Sequence, residues 1–256
     1  GEEGLSMYHE KRVQVEARDT DLFGLCRPSS LLDFLQETAT EAADALHVGR
    51  EEMIEKHHMF WMLARMWYRL DRPLFWKDVL TVHTWHRGSK GASMYRDFDL
   101  LREGEPVGEA VSVWVLADFT THRLCRLETL QELEDTSGGS LCKTKLLPKL
   151  RLPGSLTPVE QRSLHYSDCD INGHVNNVRY ADFACDALRL DQMGGGSFVS
   201  SVQLGYLKEC RAGESLRLST GTFDGTWYVQ GDGPEERPRF DAALTLSPLD
   251  NPRNGA

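Results

Sequence analysis

From Ser167 the sequence reads SDCDINGHVNNVRYADF, with an aspartate, an asparagine and a histidine at alternate positions 170, 172 and 174. An imidazole can take up and return a proton. A carboxamide can donate N–H groups to a developing anion, and a carboxylate can orient either one. Farther along, Glu209 and Cys210 add a second carboxylate and a thiol. Two chemistries can be built from this set. In one, His174 or Glu209 removes a proton from water while Asn172 holds the water or the oxyanion. In the other, Cys210 is the nucleophile, His174 its base and Asn172 the orienter. A glutamate beside a thiol disfavours the thiolate, so the water route is the stronger reading.

The stretch occurs twice. A shift of 149 positions lays RDTDLFGLCRPSSLLDF, Arg18 to Phe34, on Ser167 to Phe183 without a gap. Asp19/Asp168, Asp21/Asp170, Gly24/Gly173, Asp33/Asp182 and Phe34/Phe183 are identical. Unrelated sequences would share roughly one position, so the match indicates a duplication. The differences locate the chemistry. Phe23 stands where the second copy has Asn172, and Leu25 where it has His174. Aligning KDVLTVHT with GESLRLST sets Pro73 opposite Glu209. Purely structural roles would predict similar residues in both copies, so the second copy carries the reaction. Asp170, matched by Asp21 in the inert copy, shapes the loop in both halves and can orient a catalytic group only in the second.

The elements that must hold these groups follow from periodicity. After Arg27, apolar residues recur at Leu31, Leu35, Ala39, Ala42 and Leu46; after Asn177 they recur at Tyr180, Phe183, Ala184, Ala187 and Leu188. Both are helical stripes. Pro28 suits a first helical turn, and Asn176 and Asn177 suit an N-cap. Beyond each helix the period drops to two: Met62 to Tyr68, Leu80 to Thr84 and Val111 to Val115 in the first half; Val202 to Tyr206, Leu216 to Leu218 and Phe240 to Leu246 in the second. These are half-buried antiparallel strands, with HRGSKGAS, REGEP and DGPEERP as turns. Each half is thus an α+β unit, one helix on one sheet face. The segment around 136–158, with three prolines and no acidic residue, marks the boundary. The expected units are 1–140 and 161–256, joined by a linker over 141–160.

Composition removes whole classes of function. The chain has 256 residues, 39 acids against 29 bases and a net charge of -10, which argues against nucleic-acid binding. No apolar run is long enough for a membrane span, and GEEGLSMYHEKR has no signal-peptide core. Six scattered cysteines form no CxxC pair or zinc spacing, and reduced cytoplasmic thiols are expected. With no GxGxxG, P-loop or HExxH, no metal or organic cofactor is expected.

The run from Asp170 to Tyr180, DINGHVNNVRY, resembles the signature of acyl-acyl carrier protein thioesterases, and YLKEC, Tyr206 to Cys210, resembles their downstream Glu-Cys pair. The resemblance extends through the duplicated architecture over nearly the whole chain. It implies two tandem hotdog units, each a curved antiparallel sheet wrapped around a long helix, arranged like a dimer of single-hotdog proteins, either as a monomer or as a homodimer. The transit and membrane-associating stretches of plant members are not seen, so a bacterial-type, soluble, cytoplasmic form without membrane partners is the expectation.

The resemblance implies hydrolysis of a fatty acyl thioester on acyl carrier protein. Asp170, Asn172, His174 and Glu209 would be the catalytic set, with Cys210 as the rival nucleophile. The amides of Gly173, Val175 and Asn176, near a helix N-terminus, could hold the oxyanion. The first half would supply an acyl tunnel through Phe60, Met62, Met66 and Trp67. Acidic carrier protein needs a basic patch, either Lys143, Lys145, Lys149 and Arg151, or Arg65, Arg69 and Arg72. Hydrolysis of acyl-coenzyme A, and a non-catalytic acyl-binding role, are the alternatives.

Overall fold

The structure is a computed structural model, and it describes residues 8–126 and 146–249. Within them the chain forms two compact units that interleave along the sequence. The first takes 8–14, 33–68, 78–126 and 146–148; the second takes 15–32, 69–77 and 149–249. The loop of the first repeat, Asp19 to Arg27, therefore belongs to the second unit.

In the first unit, strands β1 (His9–Gln14), β2 (Met59–Leu70), β3 (Val79–Lys90), β4 (Ser93–Arg102) and β5 (Glu105–Asp118) run in the order β1-β3-β4-β5-β2, and the two-residue β6 (Leu124–Cys125) pairs with β5. Alternation decides which side chains go inside. Leu80, Val82 and Thr84 are buried on β3, as are Val111 and Val113 on β5. The β3–β4 hairpin turns at Gly91, and Glu103 and Gly104 both take positive φ between β4 and β5. These are the turns expected from HRGSKGAS and REGEP.

Helix α1 (Pro28–Ala45) begins on the proline expected at a first turn. Its stripe of Leu31, Leu35, Ala39 and Ala42 is buried. A second helix, α2 (Arg50–His57), carries glutamates in its first turn and Lys56 and His57 in its last, matching its dipole.

In the second unit, β7 (Thr157–Ser163), β8 (Ser197–Tyr206), β9 (Ser215–Phe223), β10 (Thr226–Asp232) and β11 (Pro238–Pro248) follow the order β8-β11-β10-β9-β7, with every pairing antiparallel. Helix α3 (Arg179–Ala187) packs on β9, β10 and β11 through Tyr180, Phe183, Ala184 and Ala187. Phe240, Ala242 and Leu244 are buried, but a register shift between Thr245 and Leu246 takes Leu246 out of the alternation.

Helix α3 is shorter than the long helix expected. It has 9 residues against 18 in α1, because Arg189 adopts φ 55 and a 3-10 turn, Leu190–Gln192, follows. Among the described residues no helix is long and apolar enough to cross a membrane.

Candidate active site

Asp170, Asn172, His174, Glu209 and Cys210 all lie in the second unit. Asp170, Asn172 and His174 are placed by a loop that folds before helix α3 begins, and Glu209 and Cys210 by the segment that follows β8. A 3-10 turn, Tyr166–Asp168, is closed by Asp168, whose Oδ2 accepts the His165 amide at 2.9 Å. Asp170 Oδ1 then accepts the Asn172 amide at 2.9 Å, and the Gly173 amide donates to Asp170 O at 3.0 Å. Gly173 sits at φ +83, a backbone state that side-chain-bearing residues rarely adopt. The chain thereby reverses and delivers His174.

His174 meets Glu209 here. Its Nε2 is 3.5 Å from Glu209 Oε1, and both side chains are about three-quarters buried. Its Nδ1 faces Val175 O at 3.4 Å. A carbonyl and a carboxylate can each only accept, so the imidazole has an acceptor at each nitrogen, and its neutral form has one proton to share between them. The Val175 amide donates to Cys210 O at 2.8 Å, which ties the histidine loop to the segment carrying the glutamate.

The first-repeat loop makes the same bonds. Asp19 Oδ2 accepts the Glu16 amide at 2.9 Å, Asp21 Oδ1 accepts the Phe23 amide at 2.8 Å, and Gly24 takes φ +76. The Cys26 amide donates to Leu74 O at 2.8 Å, where its counterpart Val175 reaches Cys210. Leu74 thus corresponds to Cys210 and Pro73 to Glu209, as the alignment of the two strands requires. Asp170 does the work Asp21 does, shaping a turn through backbone amides.

Three expected oxyanion donors are committed elsewhere. The amides of Gly173, Val175 and Asn176 donate to the carbonyls of Asp170, Cys210 and Asp168. The expected cap is also displaced: α3 starts at Arg179, and Asn176 Oδ1 accepts the Val178 amide at 3.2 Å, one turn earlier. Asn172 is exposed at the loop tip, beside Ile171.

Cys210 is 1% exposed. Burial raises its pKa, against lowering contacts from the Tyr180 hydroxyl and Arg239. A thiol held protonated and away from solvent is a poor nucleophile.

Two supports were not foreseen. Arg239, itself buried, donates to Glu209 O and, at 3.0 Å, to Glu214 Oε2. It fixes the backbone of the glutamate from the neighbouring strand, and nothing in the periodicity of β11 marks it. Asp168 is bound by Arg179 Nε at 3.1 Å and Nη2 at 2.9 Å. Burial alone would raise the Asp168 pKa, but the His165 amide and the Arg179 guanidinium hold it below the usual aspartate value. The identity of Asp19 and Asp168 was a signal for the turn. The arginine was not, since position 30 in the first copy is serine.

The expected tunnel residues lie on β2 in the first unit. Met66 is buried, while Phe60, Met62 and Trp67 are half-buried. Phe60 stacks edge-on to Phe119 and His122. Trp67 packs with Ala64 against Tyr95, Val111, Val113 and Leu147. Of the basic patch, Lys149 and Arg151 are exposed, and Lys143 and Lys145 lie outside the described residues. In the second candidate patch, Arg65 Nε donates to Leu147 O at 2.7 Å and Arg69 pairs with Asp71 at 3.0 Å. Among the described residues no three of His, Cys, Asp and Glu gather into a metal-holding group.

Comparison with known proteins identifies the family. A family model described as acyl-ACP thioesterase N-terminal domain matches residues 6–132, and one described as acyl-ACP thioesterase C-terminal domain matches 157–237. A palmitoyl-acyl carrier protein thioesterase, chloroplastic, of Arabidopsis thaliana is 31% identical over 227 residues, covering 79% of this chain and 53% of the relative. One from Gossypium hirsutum is 28% identical, covering 76% of this chain and 50% of the relative. The chain thus spans about half the length of these curated relatives. The crystal structure of an acyl-ACP thioesterase from Bacteroides thetaiotaomicron VPI-5482 shares the fold at TM-score 0.86 and 20% identity, over 94% of this chain and 98% of that one. The 12:0-ACP thioesterase from Umbellularia californica does so at TM-score 0.79 and 20% identity, with the same coverage. Two family models that together span most of the sequence, meeting a duplicated loop whose second copy alone brings a histidine to a glutamate, establish that the chain belongs to the acyl-ACP thioesterase family.

Proposed function

We propose that this chain hydrolyses the thioester of a fatty acyl group on acyl carrier protein, releasing the free fatty acid and the carrier thiol. The observation that carries the reading is the His174–Glu209 approach of 3.5 Å in a loop whose sister copy has Leu25 and Pro73. The names of the relatives supply the substrate class.

In the tautomer with its proton on Nδ1, against Val175 O, the imidazole Nε2 and the Glu209 carboxylate are two acceptors on one side of the ring. A water molecule that donates a proton to this pair satisfies both and is activated as it does so. Its oxygen attacks the thioester carbonyl carbon while the pair takes the proton. The negative charge moves to the carbonyl oxygen, where the Asn172 carboxamide is the assigned donor, because the loop amides are already bonded. Collapse breaks the C–S bond, and the proton held by the pair returns to the departing sulfur.

The test is hydrolysis of a panel of acyl carrier protein thioesters and the matching coenzyme A thioesters by wild type and His174→Ala. The reading expects turnover by wild type, a preference for the protein carrier in kcat/KM, and a loss of about 10³-fold in the variant. A wild type that binds acyl groups without hydrolysing them would overturn it in favour of an acyl-binding role. Equal or better rates with coenzyme A would move the carrier assignment.

A further inference from the structure

Glu209 does not stand on a strand. Strand β8 ends at Tyr206 and β9 begins at Ser215, so the backbone from Leu207 to Glu214 must find its partners outside the ladder. Arg239 supplies several of them. Its carbonyl accepts the Leu207 amide at 2.9 Å and the Lys208 amide at 3.1 Å. Its guanidinium donates to Glu209 O and to Glu214 Oε2, and Glu214 Oε1 accepts the Arg211 amide at 2.7 Å. From the first turn of α3 comes Tyr180, 3% exposed. Its ring packs on Phe240 at 5.0 Å between centroids, and its hydroxyl bonds the thiol and the backbone amide of Cys210.

Glu209 O and the Cys210 amide are the two polar ends of one peptide group. That group follows directly on the Cα that carries the Glu209 carboxylate. Held at one end by a guanidinium and at the other by a phenol oxygen, its plane cannot rotate, and the direction in which the carboxylate leaves the chain is fixed with it.

The sister copy is built without these side chains. The shift of 149 sets Leu31 at Tyr180, and Leu74 corresponds to Cys210. The ladders set Val107 at Arg239: Val82 faces Leu100 and Leu100 faces Gly108, as Leu218 faces Gly231 and Gly231 faces Phe240. Leu31, Leu74 and Val107 are all buried, and none has a side chain that can hydrogen-bond. The acid at Glu214 is kept, as Asp78, but it pairs with Arg102 of β4 at 3.1 Å. An acid–arginine pair is thus common to both copies. Particular to the second are an arginine that reaches from the pair to the glutamate's peptide and a hydroxyl on that peptide's amide.

We propose that Arg239 and Tyr180, with Glu214 orienting Arg239, are positioning residues that fix the Glu209–Cys210 peptide and so hold the Glu209 carboxylate at His174. A misplacement of about 1 Å at such a group is enough to slow a reaction by an order of magnitude or more. The inference rests on the thioesterase reading for its effect on turnover, but one of its readouts needs no substrate.

The whole chain is compared with Arg239→Lys, which keeps the charge and loses the planar fork, and with Tyr180→Phe, which keeps the ring and loses the hydroxyl. Hydrolysis of an acyl carrier protein thioester gives kcat and KM. NMR of the imidazole side chains, without substrate, gives the His174 resonances. In Arg239→Lys kcat should fall about tenfold and in Tyr180→Phe about fivefold, each with KM within about twofold. In both, the His174 signal should move in the direction it moves in Glu209→Gln, while that of His58, in the first unit, stays in place. Arg102→Lys disturbs the sister pair and should leave kcat within about twofold and the His174 signal where it was. An unmoved His174 signal or an unchanged kcat in either folded variant overturns the positioning role, as does an equal fall of kcat in Arg102→Lys. If Arg239→Lys does not fold, Tyr180→Phe decides alone. Signals that move as expected in a chain whose wild type hydrolyses no thioester would sink the thioesterase reading and leave the positioning of Glu209 standing. Hydrolysis by wild type, with kcat and signal untouched in the variants, would do the reverse.

Discussion

The loop from Asp19 to Arg27 and the loop from Asp168 to Asn176 are the same object with different side chains. Each closes a 3-10 turn with a buried aspartate, reverses at a glycine with positive φ, and donates an amide to a neighbouring carbonyl. Only the second points an imidazole at a carboxylate. The two copies therefore differ in side chains on one backbone plan, at the residues 23, 25 and 73 against 172, 174 and 209, and the proposed reaction centre exists only in the second. The aspartates and glycines common to both copies build the loop and say nothing about catalysis.

That comparison can be broken most directly by chemistry. His174→Ala and Glu209→Gln should each lower kcat/KM by about 10³-fold with the fold intact by circular dichroism, while Leu25→Ala leaves the rate within about twofold. Equal losses from both loops would show that the contrast has been misread.

Stability should separate the copies next. Asp168→Asn loses the Arg179 pair as well as the turn bond and should cost about 2 kcal/mol; Asp19→Asn loses the turn bond alone and should cost about 1 kcal/mol, both from denaturant melts. Because the folded pKa of Asp168 is lowered, its contribution is complete above the unfolded value near 3.9 and disappears as the pH falls through the folded value. The acid limb of the melting temperature should flatten in Asp168→Asn.

Smaller effects sharpen the picture. Gly24→Ala and Gly173→Ala should each destabilise by about 1 kcal/mol, since both sit near φ +80 with open space around them. Only Gly173→Ala should also slow turnover. Cys210→Ala should keep activity within a few-fold, because the thiol is buried and protonated. Complete loss of turnover in a folded Cys210→Ala protein would restore the thiol nucleophile.

Much of this was legible in the residues themselves. The shift of 149 foretold two equivalent loops, and the alignment of KDVLTVHT with GESLRLST foretold that Pro73 and Glu209 would correspond. Alternation placed the buried faces of β3 and β11. What stayed hidden depends on partners distant in sequence. The amides of Gly173, Val175 and Asn176 looked available because their acceptors are fixed only when the loop closes. Arg239 reaches Glu209 from another strand, and a charged residue at an outward position in an alternating pattern gives no sign of being buried. Helix α3 is shorter than the long helix that the resemblance implied because Arg189 turns left-handed, a choice that no glycine announces.

The bond from the Val175 amide to the Cys210 carbonyl has a consequence for how the protein responds to heat. It splices the histidine segment to the glutamate segment, so neither can fray by itself. The Val175 amide should exchange with deuterium only in openings that also part His174 from Glu209. Heat should then silence turnover in one abrupt step rather than erode it.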